Sequence, residues 1–303
     1  MSETTGTQSS TTALADARID PRHPFAAHLR RATALRESAP HRAWTPADGP
    51  LPALYLGHGA PMLFEMTGWM DELHAWAQRL PRPRGVVIVS AHWEDAPTTL
   101  SAARPADLVY DFGGFAPMYS QMRYDTPDAT ELGRRVAALL PAGEKPHQHA
   151  ARGLDHGAWV PLKIMYPEAD LPVVQVSMPT HDPGRLMMLG RHLRDLREEG
   201  VLVIGSGYLT HGLPFLDWSR PGVVPGWSSD FDAWAAEALA SGDVDELASF
   251  RDRAPGMPYA HPTVEHFTPL FVTLGAAADP TAPPATQIDG FEIGLSKRSL
   301  QVV

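Results

Sequence analysis

Four strand-sized runs of nearly continuous hydrophobicity punctuate the chain: PALYLG (52–57), GVVIVSA (85–91), PVVQVSM (172–178) and VLVIGSG (201–207). They are rich in β-branched residues and lack the apolar–polar alternation of a half-exposed sheet. Such runs suit strands buried on both faces, as in a parallel or mixed sheet covered by helices. Between them the period lengthens. Glu65 to Leu80 carries Trp69, Leu73, Trp76 and Leu80 on one helical face, and Pro183 to Gly200 carries Leu186, Leu189, Leu193 and Leu196 before a glycine stop. Asp230–Ala240 and Glu265–Gly275 read as helices, and FEIGLSKRSLQVV (291–303) as one or two closing strands. Strand and helix alternate, which predicts a layered α/β domain.

The first 50 residues follow a different pattern. Residues 1–20 are rich in Ser and Thr without hydrophobic period, the composition of a disordered tail. One helix is predicted around Phe25–Glu37. Residues 1–50 therefore read as a disordered or loosely ordered extension, and 51–303 as the compact folded domain.

Composition narrows the function. The 303-residue chain holds 35 acidic against 25 basic residues, a net charge of −10, which argues against a nucleic-acid partner. Cysteine is absent, so disulfides, iron–sulfur clusters, thiolate zinc sites and thiol nucleophiles are excluded together. Any metal must be held by His, Asp or Glu. The polar N-terminus lacks a signal-peptide core, and no apolar run approaches membrane-spanning length. A soluble, cytoplasmic protein is expected.

The chemistry-bearing residues are histidines, 14 in all. His74 and His192 fall in amphipathic helices, His23, His28, His41, His147 and His149 in polar stretches, and His181 and His261 beside prolines. Ordinary structural roles suffice for these. Four others share a setting: His58 ends one strand run, His92 ends the next, His211 follows a third, and His156 lies in the loop GLDHGAW (153–159). Ligands of open α/β sheets bind outside the carboxyl ends of the strands, so these side chains are expected to converge. His266, in PTVEHFTPL (262–270), opens a predicted helix and joins them as a candidate. One such histidine is more often a hydrogen-bonding structural residue. Several together make a cavity that calls for a proton, a water or a metal.

Other motifs fail on context. Asp111-Phe112-Gly113 mimics a kinase triplet without the accompanying loops, GSG (205–207) has Thr210 where a dinucleotide fingerprint needs glycine, and HPTVEH (261–266) has the wrong spacing for a zinc protease.

Taken in order, GHGAPM (57–62), SAHW (90–93), DFGGFAPMY (111–119), GLDHGAW (153–159), SGYLTHGL (206–213) and PTVEHFTPL (262–270) resemble the class III extradiol ring-cleaving dioxygenases, DOPA 4,5-dioxygenase-like branch. The resemblance runs from about Leu51 to the C-terminus. It implies a single α/β/α domain with a central mixed, largely parallel sheet and a mononuclear non-haem iron. His58 and His92 match metal-binding histidines, His266 the third ligand, His211 a histidine beside the metal that also counts as a candidate ligand, and His156 a loop histidine facing the substrate. The wider class uses two histidines and a glutamate, so a third histidine departs from the usual triad and makes Zn(II) an occupant to weigh beside Fe(II).

The expected reaction takes a small aromatic diol and O2 and opens the ring beside the two hydroxyls. A catechol must lose a proton to chelate iron, a task for histidine near neutral pH, assigned here to His156 or His211. Tyr119, Tyr208 and Trp93 are candidates to line an aromatic pocket, with core packing as the competing reading. A mononuclear zinc hydrolase and a non-enzymatic interaction protein on the same fold are the alternatives. The sequence leaves the identity of the catechol and the oligomeric state open.

Overall fold

The computed structural model describes residues 19–141, 143 and 145–303. The Ser/Thr-rich stretch expected to be disordered lies outside these but for its last two residues. The described strands are β1 (Ala53–Gly57), β2 (Gly85–Glu94), β3 (Thr99–Leu100), β4 (His147–Gln148), β5 (Val173–Met178), β6 (Val201–Gly207), β7 (Ala285–Ile288), β8 (Phe291–Glu292), β9 (Leu295–Ser296) and β10 (Ser299–Val302). Eight form one sheet in the order β4-β3-β5-β2-β6-β1-β10-β7, and β8 pairs only with β9. The central strands β5, β2, β6 and β1 are parallel, and β10 returns antiparallel to β1. The four runs predicted from hydrophobicity are these four central strands.

The helices are α1 (Pro24–Ser38), α2 (Thr67–Arg79), α3 (Thr130–Leu139), α4 (His156–Met165), α5 (Pro183–Leu193), α6 (Gly226–Ser241), α7 (Val244–Ala248), α8 (Phe250–Arg253) and α9 (Pro269–Ala276). They cover both faces of the sheet. Strand alternation divides the core accordingly: Val87, Val89 and Val203 pack among residues of α3, α5, α6 and α9, whereas Val86, Ile88, Leu202 and Ile204 pack among residues of α1, α2 and α4. Both sides of each central strand need apolar residues, which is why these runs lack a polar phase.

Two boundaries differ from expectation. The packed body begins before Leu51: Phe25 of α1 is fully buried, its ring 4.5 Å from that of Phe64, and Trp44 is buried too. These two aromatics in an otherwise polar stretch anchor it. The helix predicted from Glu265 starts instead at Pro269, and His266 sits in the turn before it, where Phe267 and Thr268 both donate to the Val264 carbonyl. Proline at the first helical position suits that start. No helix among the described residues is long and apolar enough to cross a membrane.

Candidate metal centre and active site

Strands β2, β6 and β1 lie side by side and run the same way, so their carboxyl ends open on one crevice. His58 is the residue after β1, and its amide donates to the Gly207 carbonyl at the end of β6 (3.0 Å). His92 lies within β2 beyond Val89, where the pairing of β2 with β5 shifts register. An irregularity of this kind re-aims a side chain at a strand end. His266 arrives from the far end of the chain. Its carbonyl accepts from the Tyr208 amide (2.9 Å) and the Tyr55 hydroxyl (3.1 Å). Gly207 permits this approach, since a Cβ there would stand 2.0 Å from the His266 carbonyl oxygen.

The three rings meet edge to edge. His92 Nε2 is 3.0 Å from His58 Nε2 and 3.2 Å from His266 Nε2. Their other nitrogens show where the protons are. The Ser206 hydroxyl gives its only hydrogen to the Gly157 carbonyl (2.5 Å), so it must accept from His58 Nδ1–H (3.0 Å). Glu265 Oε1 accepts from His266 Nδ1–H (2.9 Å), and His92 Nδ1 faces Asp111 Oδ2 at 3.5 Å. His58 and His266 thus spend their protons outward, His92 turns Nδ1 towards Asp111, and His92 Nε2 faces the Nε2 atoms of both. Burial, then the charges of the neighbouring imidazoles, holds His58 and His266 far below the ordinary histidine range; burial and His156 bring His92 down to about 3. Neutral imidazoles with converging lone pairs and outward partners are the donor set of a metal centre. Nitrogens bound at about 2.1 Å to one ion stand roughly 3.0 Å apart at right-angle geometry and roughly 3.4 Å apart at tetrahedral geometry. The two spacings from His92 fall in that interval, as residues holding one ion would require.

His156 is the first residue of α4, and Asp155 precedes it as the N-cap. Its ring nitrogen and those of His58 and His92 lie within 4.8 Å of one another. Asp111 Oδ1 accepts from both the His156 backbone amide (3.1 Å) and Nδ1–H (2.8 Å), which leaves Nε2 as the nitrogen free of that contact. Burial alone would raise the Asp111 carboxyl, but the hydrogen bond and charge of His156 outweigh it and the net shift is downward. Gly157 lets this helix end press on the cluster: a Cβ there would stand 2.3 Å from Ser90 Oγ and 3.2 Å from His58 Nδ1. His211 lies flat on His266, with centroids 3.4 Å apart and planes 13° from parallel. A stacked ring presents its face to its neighbour, and a ring nitrogen of His211 lies within 4.8 Å of one of His266 and of a Glu265 carboxylate oxygen. Burial lowers it to about 3.

His58, His92, Asp111, His156 and His211 line a cavity of about 240 Å³ whose remaining walls are mostly apolar, among them Met62, Met66, Trp69, Phe112, Leu213 and Leu295. Tyr208 lines it as expected, its ring 6.3 Å from that of His58. Tyr119 and Trp93 do not. Tyr119 is buried beneath, donating to Glu65. Trp93, adjacent to His92 on β2, packs under the Arg152 guanidinium at 4.5 Å. Strand alternation requires it, because neighbours on a strand face opposite ways. Sequence reasoning passed over Asp111, Phe112 and Trp69. The first two sit in the triplet read as coincidental, although DFGGF is also one of the segments that carry the family resemblance.

Residues 52–288 match the family described as the catalytic LigB subunit of aromatic ring-opening dioxygenase. The chain belongs to this family. It is an extradiol aromatic ring-opening dioxygenase of the DOPA 4,5-dioxygenase-like branch. It is 38% identical to a 4,5-DOPA dioxygenase extradiol of Beta vulgaris over 74% of this chain and 86% of that one. It is 34% identical to a protein of the same name from Escherichia coli (strain K12), over 83% and 94%. A solved structure of an uncharacterised Escherichia coli K12 protein superimposes with a TM-score of 0.71 at 32% identity, covering 84% of this chain and all of that one.

Proposed function

We propose that this extradiol dioxygenase is a mononuclear non-haem Fe(II) enzyme that opens the ring of a catechol of the DOPA-like kind, using O2. The observation that carries the metal reading is the meeting of three buried or half-buried imidazoles, with Nε2 atoms 3.0 and 3.2 Å apart. His58, His92 and His266 would hold the ion, leaving the cavity side open for substrate. Ferrous iron, when bound there, supplies the electron path between ring and dioxygen. His156, its Nδ1–H committed to Asp111, offers Nε2 as the base that takes a catechol proton and later returns it. His211 stands on the other side of the trio as a second acid/base at the cavity wall. Trp69, Phe112 and Tyr208 hold the aromatic ring and exclude water. The curated relatives cited above are named for DOPA, and that name supports a dihydroxyphenyl substrate here. A cytoplasmic setting, reducing enough to keep iron ferrous, suits this reading.

The test is metal exchange. Protein stripped and reloaded with Fe(II) without oxygen should, given a catechol and then air, consume one O2 per ring opened and yield a product absorbing in the visible. The zinc form should bind catechol without turnover, since zinc does not change oxidation state. A zinc form active on an ester or amide, with an iron form indifferent to catechols, would overturn the proposal in favour of a hydrolase.

A further inference from the structure

The walls of the active-site cavity are unequal in charge. Apart from the histidines and Asp111, whose carboxylate is committed to His156, the lining carries one charged side chain, Glu292. No lysine or arginine among the described residues lines it. Glu292 has neither an ion pair nor a hydrogen-bond partner for its carboxylate among the described residues. The nearby ammonium of Lys297 is engaged elsewhere: it donates to Glu72 at 2.6 Å, 5.7 Å above the Trp69 ring.

Glu292 reaches the cavity on a strained turn. In the β8–β9 hairpin Glu292 pairs with Leu295, and the two residues between, Ile293 and Gly294, both have positive φ (47° and 87°). Positive φ at both central positions is the geometry of the tightest hairpin turn, normally filled by Asn or Gly. A β-branched residue there is an outlier, and such strain tends to persist at functional sites. The turn places Glu292, Ile293 and Leu295 against the cavity together.

We propose that Glu292 determines specificity for the substrate's side chain, and that the preferred catechol carries an ammonium group and no carboxylate. This rests on the catechol reading above. A carboxylate on the substrate would enter an apolar pocket with no cation to meet it and one like charge already present. An ammonium would instead give Glu292 the partner it lacks within the protein. An amine is therefore ranked above the corresponding amino acid, whose carboxylate finds no counterpart.

The Fe(II)-loaded enzyme is assayed by oxygen uptake with three catechols of matched length: 3,4-dihydroxyphenethylamine, 4-propylcatechol and 3,4-dihydroxyphenylpropionate. The expected order of kcat/KM is amine, neutral, acid, with about a five-fold step or more at each place. In Glu292→Gln the amine-to-neutral ratio should collapse towards one, and in Glu292→Lys the acid should overtake the amine. Ratios within one variant cancel any general loss of activity. Calorimetric titration of the zinc-loaded protein with the same compounds should give the same order in binding alone. An acid that matches or beats the amine in the wild type, or an amine-to-neutral ratio unaltered in Glu292→Gln, overturns this inference while leaving the dioxygenase reading intact. If none of the three rings is opened, it is the catechol reading that fails.

Discussion

The molecule contains two groups of neighbouring histidines, and they differ in where their protons go. At the carboxyl ends of the sheet, His58 and His266 turn protonated nitrogens outward to Ser206 and Glu265, His92 turns Nδ1 towards Asp111, and their Nε2 atoms face inward. On the α1–α2 side, His28 and His74 also pack together, ring centroids 5.2 Å apart, and burial lowers both. There His28 Nε2–H donates to the Ile164 carbonyl (3.2 Å), and nearby His41 Nε2–H donates to that of Leu80 (2.7 Å). The ring protons of His28 and His41 go to backbone oxygens, and His74 Nε2 faces the Gln78 side-chain amide at 3.4 Å. Burial and a lowered pKa are common to both groups, so neither marks a metal centre. The orientation of the ring nitrogens is what separates the group proposed to hold the ion from the other.

The widest gap should appear between His92→Ala and His74→Ala. Loss of His92 removes the ring that touches both others, and metal affinity should fall by more than the roughly 10–100-fold typical of losing a supporting partner. His74→Ala should keep full metal content and lower only Tm. Metal analysis of both purified variants checks this, and equal metal loss would erase the distinction drawn here.

Within the active site, His156→Ala should retain metal yet slow ring opening by about 10²-fold, the usual range for a lost acid/base. Asp111→Asn should cost roughly ten-fold and displace the pH profile, because the acceptor that sets the His156 tautomer loses its charge. Steady-state kinetics with metal analysis separates the roles. Metal lost together with activity would make His156 a ligand instead.

Gly157→Ala tests packing. Its methyl would enter the space of Ser90 Oγ, an overpacking expected to cost about 1–3 kcal/mol. Denaturant unfolding measures it. A neutral result would mean the α4 terminus is free to retreat from His58.

The smallest effect per residue is the dependence of apoprotein stability on pH. A buried histidine whose folded pKa lies far below its ordinary 6.5 binds its proton only when unfolded. Stability therefore falls as pH drops through 6.5 and keeps falling towards about 3, the folded value of His92. By pH 6.5 each such residue costs about 0.4 kcal/mol. Apoprotein Tm should decline steadily from pH 7.5 to 5.5, and a flat profile would mean these imidazoles reach solvent.

Much of this was legible before the structure because the relevant signals are local. Continuous β-branched runs announced the four central strands, and histidines at their ends announced the crevice. What was not legible depends on partners distant in sequence. Asp111 acquires meaning only where its carboxylate meets His156, 45 positions on. Trp69 looks like any core position of an amphipathic helix, and its place on the cavity wall is set by the sheet it packs against. His92 and Trp93 are adjacent on a strand, so only one of them can face the cavity, a constraint already present in the sequence. Phe25 and Trp44 are too few to give a hydrophobic period, and their burial is visible only with Phe64 and the sheet beside them.

The most direct test of the central claim is X-ray absorption spectroscopy of the zinc-loaded protein at the metal edge. Three imidazole nitrogens at about 2.0–2.1 Å are expected in the first shell, with one lost in His58→Ala and none lost in His28→Ala. A shell dominated by oxygen, or one unchanged by His58→Ala, would contradict the assignment of His58, His92 and His266 to a single ion.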